Sequence, residues 1–433
     1  MGFLSKMLGL SAPKSEAVQA AERTLSPPEL KALQEEFRAV AGGEAALDLK
    51  RAAELFPLGE AHGAGLTAML LPRLLVDRPA DGFTAGDYTV AKVRVRGGDS
   101  AWQEYLFHLL AGGDSPGEGA ISRDTLAAAL EGSLRVALKR EGVDGALVAR
   151  AVEGALAGRG ALDLRAWCAW SKANPLLAAA LRCVLAGGRA EVLAQPALEP
   201  CAAGDAFLAS PRCQMSPALA AMLCCGMPAR QRATWELLFH SDKHGKSFNT
   251  LLACVGGRGA TLLLVTDKAG NTFGGFAGQP WAKAGTFTGD FSCFVFSLHP
   301  AAAIYRPSGV NENFQWCGQG FNSLPNGIGF GGQTGYYAVF VDDTLDKGMT
   351  RQAATYNNPP FAKEQVFEVD CVECWLVEPS EEELEQREKH GTAMDRYKET
   401  NKFLNLTGVQ NDHSAAYRDD RPHEVEDNTS KFR

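Results

Sequence analysis

The sequence predicts an α+β protein, in which a helical N-terminal part precedes a two-sheet antiparallel β-sandwich and a charged helical tail. Residues 26–190 are rich in Ala, Leu, Glu and Arg, the residues that lose least on entering a helix. Residues 235–377 hold 14 of the 22 Phe and 19 of the 46 Gly, in short β-branched and aromatic runs separated by turn residues. From Glu381 onward charge rises and apolar residues become sparse.

Composition excludes several classes of protein. The 433 residues suffice for two or three domains, and 45% hydrophobic with 22% charged residues is typical of a globular chain, not a disordered one. No run of about 18 apolar residues predicts a transmembrane helix. The net charge of −8 argues against nucleic acid as a partner, since phosphate binding needs a basic surface. Eleven scattered cysteines indicate reduced thiols in a cytoplasmic protein.

The helical part has recognisable helix signals. We expect a flexible leader over residues 1–25, followed by a helix that begins at Ser26-Pro27-Pro28-Glu29, where a capping Ser, two Pro and a Glu come in order. Gly42-Gly43 ends this helix. Further helices are predicted at 101–110, 122–140, 143–156, 164–171 and 176–185. A Pro-rich stretch from residue 191 to 232 reads as a linker.

Two loops of the helical part have the frame of a calcium-binding EF-hand without its ligands. In residues 114–125, Pro116 occupies the third position and Thr125 replaces the bidentate Glu of the twelfth. Residues 155–166 offer almost no side-chain oxygen except that of Asp163. We therefore predict a degenerate EF-hand-like domain over residues 26–190, and neither a metal site nor a cofactor.

Strand signals dominate the second half of the chain. Strands are predicted at 261–266, 272–277, 292–298, 336–341 and 366–377, with a hairpin turn at 267–271. The last strand alternates for most of its length, which places one set of side chains on a common face: Phe367, Val369, Cys371, Glu373 and Trp375. Short Gly- and Asn-rich turns between these runs favour antiparallel sheets packed as a sandwich.

Several thiols and histidines are candidates for redox, metal-binding or acid–base chemistry. Cys371 and Cys374 lie three apart on a strand, so their thiols face opposite sides, and no second pair completes a zinc site. His240 and His244 have the spacing of a helical metal pair, but the Gly-Lys-Ser that follows predicts a turn. Cys224 and Cys225 have no histidine near them in sequence and are interpreted as inert thiols.

The two ends of the chain suggest surface contacts. Gly2 is a candidate for lipidation, although Lys6 stands where the usual pattern has Ser or Thr, and the apolar residues around it predict peripheral membrane contact. In the tail, a helix is expected after Ser380, with a sparse apolar stripe formed by Leu384, Met394, Tyr397 and Leu404. This helix is either a solvated extension or a segment that docks into a partner.

Ordered blocks of the β-rich part resemble the TLDc domain family. They are TLLLVTDKAGNTFGGFAGQPW (261–281), GDFSCFVFSL (289–298), YRPSGVNENFQWC (305–317), LPNGIGFGGQTGYYAVFVDD (324–343) and FEVDCVECWLV (367–377). The resemblance covers about residues 205–378, which leaves a linker at 191–204 and a charged helical tail at 379–433 with a disordered end. With the EF-hand-like helices and the Gly2 start, the chain looks like the mTOR-associated subgroup of that family.

The resemblance implies a non-enzymatic adaptor. It implies a two-sheet sandwich with small flanking helices, oxidative-stress resistance, and binding to peripheral-sector subunits of the vacuolar proton-pumping ATPase. It further implies mTOR complex components as partners in nutrient signalling, a peripheral location on lysosomal or vacuolar membranes, and a C-terminal helix that engages the pump. The positions that match the family are Gly274, Asn313, Phe314, Gly331, Gly332 and Glu373. Glu373, on a buried strand, needs a hydrogen-bonding partner.

Two other functions remain open from the sequence. One is a stress-protective protein with a thiol or acid–base site at His240, His244 or Cys317. The other is a β-sandwich that binds a small ligand in an aromatic pocket near Trp281 or Trp316.

Overall fold

The computed structural model describes residues 14–56, 64–75, 82–111, 119–138, 143–186, 196–200, 206–224 and 227–390. Several predictions fall outside these ranges: lipidation at Gly2, the tail residues Met394, Tyr397 and Leu404, and the disordered end of the tail.

Short helices and two-residue strands make up the N-terminal part. The helices are α1 (Glu16–Thr24), α2 (Pro27–Ala41), α3 (Leu49–Ala53), α4 (Ala64–Leu70), α5 (Ala85–Val95), α6 (Asp99–Ala111), α7 (Arg123–Leu138), α8 (Gly145–Leu156), α9 (Leu164–Ala173) and α10 (Leu176–Ala186). The strands are β1 (Ala46–Leu47), β2 (Phe83–Thr84), β3 (Ile121–Ser122) and β4 (Ala161–Leu162), paired β1 with β2 and β3 with β4.

Helix α1 corrects the predicted leader. Ser15 caps this helix, and the side chains of Val18 and Ala21 form a small cluster with Val90 of α5. The apolar contact stabilises a segment that was expected to be flexible as far as residue 25. Helix α2 follows as predicted, because the Glu29 carboxylate accepts hydrogen bonds from both the backbone and the hydroxyl of Ser26.

Strands β3 and β4 pair the two loops whose sequences resemble an EF-hand frame. Ile121 pairs with Leu162, so these two parts of the loops lie side by side, while residues 114–118 of the first loop fall outside the described residues. Asp163, the main oxygen of the second loop, accepts from the backbone of Ala166 at 2.7 Å and caps α9. Its carboxylate is thereby used to start a helix. The EF-hand-like character of the part stays a prediction.

The β-rich part has strands β5 (Ala197–Glu199), β6 (Thr234–His240), β7 (Gly259–Asp267), β8 (Thr272–Ala277), β9 (Phe294–His299), β10 (Ala303–Tyr305), β11 (Gln315–Gly318), β12 (Gly327–Phe330), β13 (Val339–Asp342), β14 (Lys347–Thr350) and β15 (Val366–Pro379). Helices α11 (Pro217–Cys224), α12 (Ser241–His244) and α13 (Phe248–Val255) flank it. The α+β prediction is confirmed.

The two layers of the sandwich share one long strand. Hydrogen bonds run in the order β10-β9-β8-β7-β15-β14-β13-β12-β11, while β6 also pairs with β15 and β5 with β6. The layers meet where the ring of Phe330 on β12 packs against Trp281 and closely approaches Gly275 on β8. Strand β5 lies in the predicted linker and runs parallel to β6, so part of the linker is ordered.

A bulge in β15 corrects the predicted alternation. The pairing of β15 with β7 shifts register between Val369 and Cys371. An extra residue in one strand reverses which side chains face the core. Phe367 and Val369 therefore lie in the core, as do Val372, Cys374 and Leu376 beyond the bulge. Cys371, Glu373 and Trp375 face the other side of the sheet, away from the set with which they were predicted to align.

The helical part covers the edge strand β10. The backbone N–H of Ala302 donates to the carbonyl of Arg150 on α8 at 2.8 Å. The N–H of Ile304 donates to the side-chain oxygen of Asn174 at 3.1 Å. Gly154 permits the close approach, since a Cβ there would lie 2.2 Å from the carbonyl oxygen of Ala302. Free edge groups that could pair with another chain are thus satisfied.

The chain divides into two compact units, Met1–Ser380 and Glu381–Arg433. Within the second unit, Glu381–His390 form helix α14, as the three Glu of its first turn predict. Glu383 and Arg387 form an ion pair one turn apart, and Leu384 is 48% exposed. In the part of the chain that the structure describes, the helices are too short or too polar to cross a membrane.

Candidate functional site

Strands β6 and β15 bring three chemically active side chains together in the interior. His240, the last residue of β6, is the register partner of Glu373 on β15. Cys371 lies two residues before Glu373 and so points to the same face. Exposure is 0% for His240, 2% for Cys371 and 1% for Glu373. We call these three residues the His–Cys–Glu cluster.

The contacts of His240 define its protonation. Nε2 lies 3.2 Å from Cys371 Sγ, 3.5 Å from Glu373 Oε1 and 3.2 Å from the carbonyl oxygen of Arg212. The other ring nitrogen, Nδ1, accepts from the backbone N–H of Asp242 at 3.1 Å and caps α12. Because Nδ1 is an acceptor, the proton of the neutral ring is on Nε2, facing the thiol and the carboxylate.

Two effects oppose each other at this ring. Burial lowers the pKa of His240, but hydrogen bonds with Cys371 and Glu373 outweigh burial, and the net direction of the pKa is upward. A second proton would have to enter at Nδ1, where it would meet the N–H of Asp242. The bonds to Cys371 and Glu373 hold one proton on Nε2. The raised pKa means that the ring takes up a second proton more readily than a free imidazole does, and that proton would replace the hydrogen bond that caps α12.

Glu373 has the partners that a buried carboxylate requires. Its Oε1 accepts from the backbone N–H of Gln214 at 2.6 Å, and its Oε2 accepts from the indole N–H of Trp375 at 3.0 Å. Two donors directed at one carboxylate stabilise its charge inside the protein. The hydrogen-bonding partner expected from the sequence is present.

A short segment, residues 206–214, closes the cluster, and we call it the strap. The ring of Phe207 contacts that of His240 edge-on, with centroids 4.4 Å apart. Arg212 forms ion pairs with Asp242 at 2.5 Å and with Asp370 at 2.8 Å. The strap therefore contacts the His240 ring through Phe207, and it contacts Asp242 after β6 and Asp370 at the bulge of β15 through Arg212.

The cluster has the residue types of a metal site, but the His240 nitrogen that would bind the metal, Nε2, carries a proton. One ligand atom each from His240, Cys371 and Glu373 lies within 4.8 Å of the other two, and His, Cys and Glu are ligands of zinc. A metal at Nε2 would displace the proton from that nitrogen, so Nδ1 would need a proton and would lose the Asp242 hydrogen bond. The geometry favours a hydrogen-bonded cluster over a metal centre.

Cys317, the thiol proposed for a stress-protective site, lies elsewhere. It belongs to the sandwich core, and burial raises its pKa to about 11, which keeps the thiol protonated. Cys374 is also in the core, with its pKa raised to about 12 by burial. Of the pair Cys224 and Cys225, the former is buried in α11 and the latter lies outside the described residues. Sequence reasoning missed Cys371 as the thiol with a histidine beside it.

The two tryptophans proposed for a ligand pocket are packed inside the sandwich. Trp281 is 2% exposed and its indole N–H donates to the Thr261 hydroxyl at 2.7 Å. Trp316 is 1% exposed and donates to the carbonyl of Pro325 at 3.1 Å. Both polar ends are satisfied internally, so these rings line no open aromatic pocket.

Comparison with known proteins identifies the β-rich part. The family model described as the TLDc domain matches residues 209–378. We therefore call residues 209–378 the TLDc domain, after the family model that they match. The His–Cys–Glu cluster and the strap from residue 209 onward lie inside this match.

Named relatives match a third to a half of the chain. The protein named mTOR-associated protein MEAK7 of Danio rerio is 36% identical over 219 residues, 50% of this chain and 48% of that protein. The Homo sapiens protein of the same name is 36% identical over 186 residues, 42% of this chain and 40% of that protein. Oxidation resistance protein 1 of Rattus norvegicus is 28% identical over 145 residues, 33% and 17% of the two chains. The chain thus spans about half the length, or less, of these relatives.

The TLDc positions named from the resemblance are supports of the fold. Gly274 lies in the middle of β8, and Asn313 donates from its side chain to the carbonyl of Gly332 at 2.7 Å. Gly331 and Gly332 both have positive φ, +68° and +83°, which only glycine adopts readily. The carbonyl of Phe314 accepts from the Tyr356 hydroxyl at 3.0 Å. Glu373 is the member of the set that also belongs to the cluster.

His244 is separate from the cluster and has its own electrostatic consequence. Its Nδ1 accepts from the backbone N–H of His240 at 3.0 Å, while its Nε2 is buried and bonds to no described residue. Burial, with a smaller effect from the charge of Lys243, lowers the pKa of His244 to about 4.

Acid should therefore destabilise the TLDc domain through His244. Between pH 6.5 and about 4 the unfolded chain binds a proton that the folded chain refuses, so stability is full above pH 6.5 and falls as pH drops through this window. Because the side chain is half-buried, we expect a loss of about 1–2 kcal/mol. Urea unfolding at several pH values would measure it. His244→Asn, which keeps an acceptor, should flatten the curve of stability against pH; a curve as steep as that of the unsubstituted chain would contradict the assignment.

Proposed function

We propose that the protein is a non-enzymatic adaptor that binds peripheral-sector subunits of the vacuolar proton-pumping ATPase on lysosomal or vacuolar membranes. The TLDc domain supplies the principal contact, and helix α14 with the residues after it supplies a second. In this proposal the protein also takes part in mTOR-linked nutrient signalling and lies on the cytoplasmic side of the membrane.

The observation that carries the proposal is the 36% identity, over 50% and 42% of this chain, to two relatives named for their association with mTOR. In the described residues, the polar groups considered for chemistry or ligand binding are buried and hydrogen-bonded within the domain. The polar groups of the cluster are closed off by the strap, and the polar ends of Trp281 and Trp316 are satisfied internally. A domain built in this way is suited to presenting a surface to a partner protein.

Helix α14 is suited to the second contact. Its Leu384 is exposed on an otherwise highly charged helix, and an exposed apolar residue in this setting is available to a partner's groove. Glu381, Glu382 and Glu383 strengthen the helix by placing negative charge at its N-terminus.

Affinity purification from detergent-solubilised endolysosomal membranes tests the proposal. The full chain should recover pump subunits, and a chain ending at Pro379 should recover several-fold less. Leu384→Asp should weaken recovery in the same direction, while Glu388→Ala on the same helix serves as the matched control. Undiminished recovery by the truncated chain would make the tail a solvated extension, and the absence of pump subunits from every preparation would refute the adaptor function.

A second candidate function is protection against oxidants by a thiol of the TLDc domain. The contact of Cys371 with His240 favours it, because a hydrogen-bond donor at sulfur stabilises the reactive thiolate. Catalytic consumption of peroxide by the purified chain, abolished by Cys371→Ser and retained by Cys374→Ser, would support this function.

A further inference from the structure

We propose that Cys371 is a hydroperoxide-sensitive modification site, with access controlled by the strap and the thiolate stabilised by His240. The inference extends the second candidate function from a general thiol to a particular residue and partner. Its test measures oxidation of one side chain, and so it can fail or succeed independently of pump binding.

The setting of Cys371 differs from that of a thiol three residues away on the same strand. Cys371 Sγ lies 3.2 Å from the protonated Nε2 of His240. Cys374 faces the other side of the sheet and lies in the apolar core. A donor directed at sulfur stabilises the thiolate, which is the nucleophile in peroxide reduction, whereas apolar burial keeps the thiol protonated.

The cluster also contains a group that can accept the thiol proton once the strap opens, because the Glu373 carboxylate then loses the Gln214 donor. The carboxylate of Glu373 has one oxygen within 4.8 Å of Cys371 Sγ. In the proposed step Cys371 gives its proton to Glu373, and the thiolate attacks one oxygen of the hydroperoxide. An S–O bond forms as the O–O bond breaks. The leaving oxygen takes the proton from Glu373, so the thiol is oxidised to sulfenic acid and the peroxide is reduced to an alcohol or water.

Access depends on the strap, because Cys371 is only 2% exposed. The ion pairs of Arg212 with Asp242 and Asp370 involve side chains that are 32–44% exposed, and pairs in such settings contribute little stability. Opening the strap breaks these pairs and the hydrogen bond from Gln214 to Glu373, and opening of one short segment costs less than global unfolding. We therefore expect the ion pairs of Arg212 to control how readily a peroxide reaches the Cys371 thiol.

The strap carries a second thiol. Cys213 lies between Arg212 and Gln214, both of which contact the cluster. A neighbouring thiol can attack a sulfenic acid, forming a disulfide and releasing water. Oxidation at Cys371 would then be recorded either as sulfenic acid or as a Cys213–Cys371 disulfide, which would tie the strap to the sheet.

The test is quantitative thiol mass spectrometry on the reduced full chain, treated with hydrogen peroxide in the presence of dimedone. Proteolysis after Glu373 separates Cys371 from Cys374, which is the internal reference. We expect Cys371 to form the dimedone adduct or the Cys213 disulfide at least ten times faster than Cys374 is modified. Arg212→Ala should accelerate oxidation of Cys371 several-fold and leave Cys374 unchanged.

Two variants at His240 separate stabilisation of the thiolate from packing. His240→Leu removes the donor and should slow Cys371 oxidation about tenfold, while His240→Gln retains a donor and should restore most of the rate. If His240→Leu unfolds the domain, Cys374 will become reactive as well, and the decision then rests on Arg212→Ala and His240→Gln. Equal rates at Cys371 and Cys374 in the native chain, or no acceleration by Arg212→Ala, would overturn the proposal.

Discussion

Gly274→Ala should destabilise the TLDc domain by about 3 kcal/mol, because the new methyl group has no room. A Cβ at this position would lie 1.9 Å from the carbonyl oxygen of Leu263 and 3.0 Å from the ring of Phe296. The first of these is backbone of the neighbouring strand β7, which cannot move without breaking its pairing with β8. Urea unfolding followed by tryptophan fluorescence measures the change.

The matched control for this substitution is Gly160→Ala. A Cβ at Gly160 meets no atom within 4 Å, and its φ is not in the left-handed region. The control should therefore alter the free energy of unfolding by less than about 0.5 kcal/mol. A loss at Gly274 no greater than that at Gly160 would show that β8 is not packed as described.

Glu373→Ala should cost about 3 kcal/mol, since it leaves buried donors unpaired. The N–H of Gln214 and the indole N–H of Trp375 both lose their acceptor, and His240 loses the carboxylate that holds the proton on Nε2. The same urea experiment measures the loss, and faster proteolysis within the strap should accompany it.

Glu368→Ala is the control on the same strand. Glu368 is exposed, and its ion pair with Lys268 involves two side chains that are each more than 60% exposed. Solvent-exposed pairs of this kind contribute little to stability, so the two substitutions should differ clearly. Equal effects at Glu368 and Glu373 would contradict the role assigned to the buried carboxylate.

Local patterns predicted much of this fold. The Ser26–Glu29 signal located the start of α2, and the aromatic and Gly-rich runs located strands β7, β8 and β9, because these features act over a few residues. Helix α1 was missed because its apolar face is only Val18 and Ala21, and the helix is stabilised by packing on α5. Strand β5 was missed because it is short and depends on β6 for its pairing.

The candidate site was predicted only in pieces. His240 was named as a candidate and Glu373 was expected to need a partner, but Cys371 was set aside as a structural thiol. Two non-local facts bring them together: the pairing of β6 with β15, and the bulge that reverses the alternation after Val369. A bulge of one residue leaves no strong mark in a hydrophobic pattern, so strict alternation gave the wrong face.

The glycines of the TLDc domain and the His–Cys–Glu cluster should respond differently to substitution. Gly331 and Gly332 permit tight backbone turns by adopting positive φ. Glu373, in contrast, accepts a hydrogen bond from Gln214 of the strap and lies beside the ring of His240. Substitutions at the glycines should therefore lower every activity together through loss of the fold. Substitutions in the strap should alter thiol chemistry while leaving partner binding intact, provided that the domain remains folded.

The central claim is that the protein binds the vacuolar ATPase, and direct binding between purified components tests it. The full chain and the isolated peripheral sector of the pump would be mixed and the complex measured by mass photometry and by titration. The account predicts saturable one-to-one binding with a Kd of about 1 μM or tighter, weakened by Leu384→Asp and unchanged by Glu388→Ala. No complex at concentrations up to ~50 μM, with the chain shown to be folded, would contradict it.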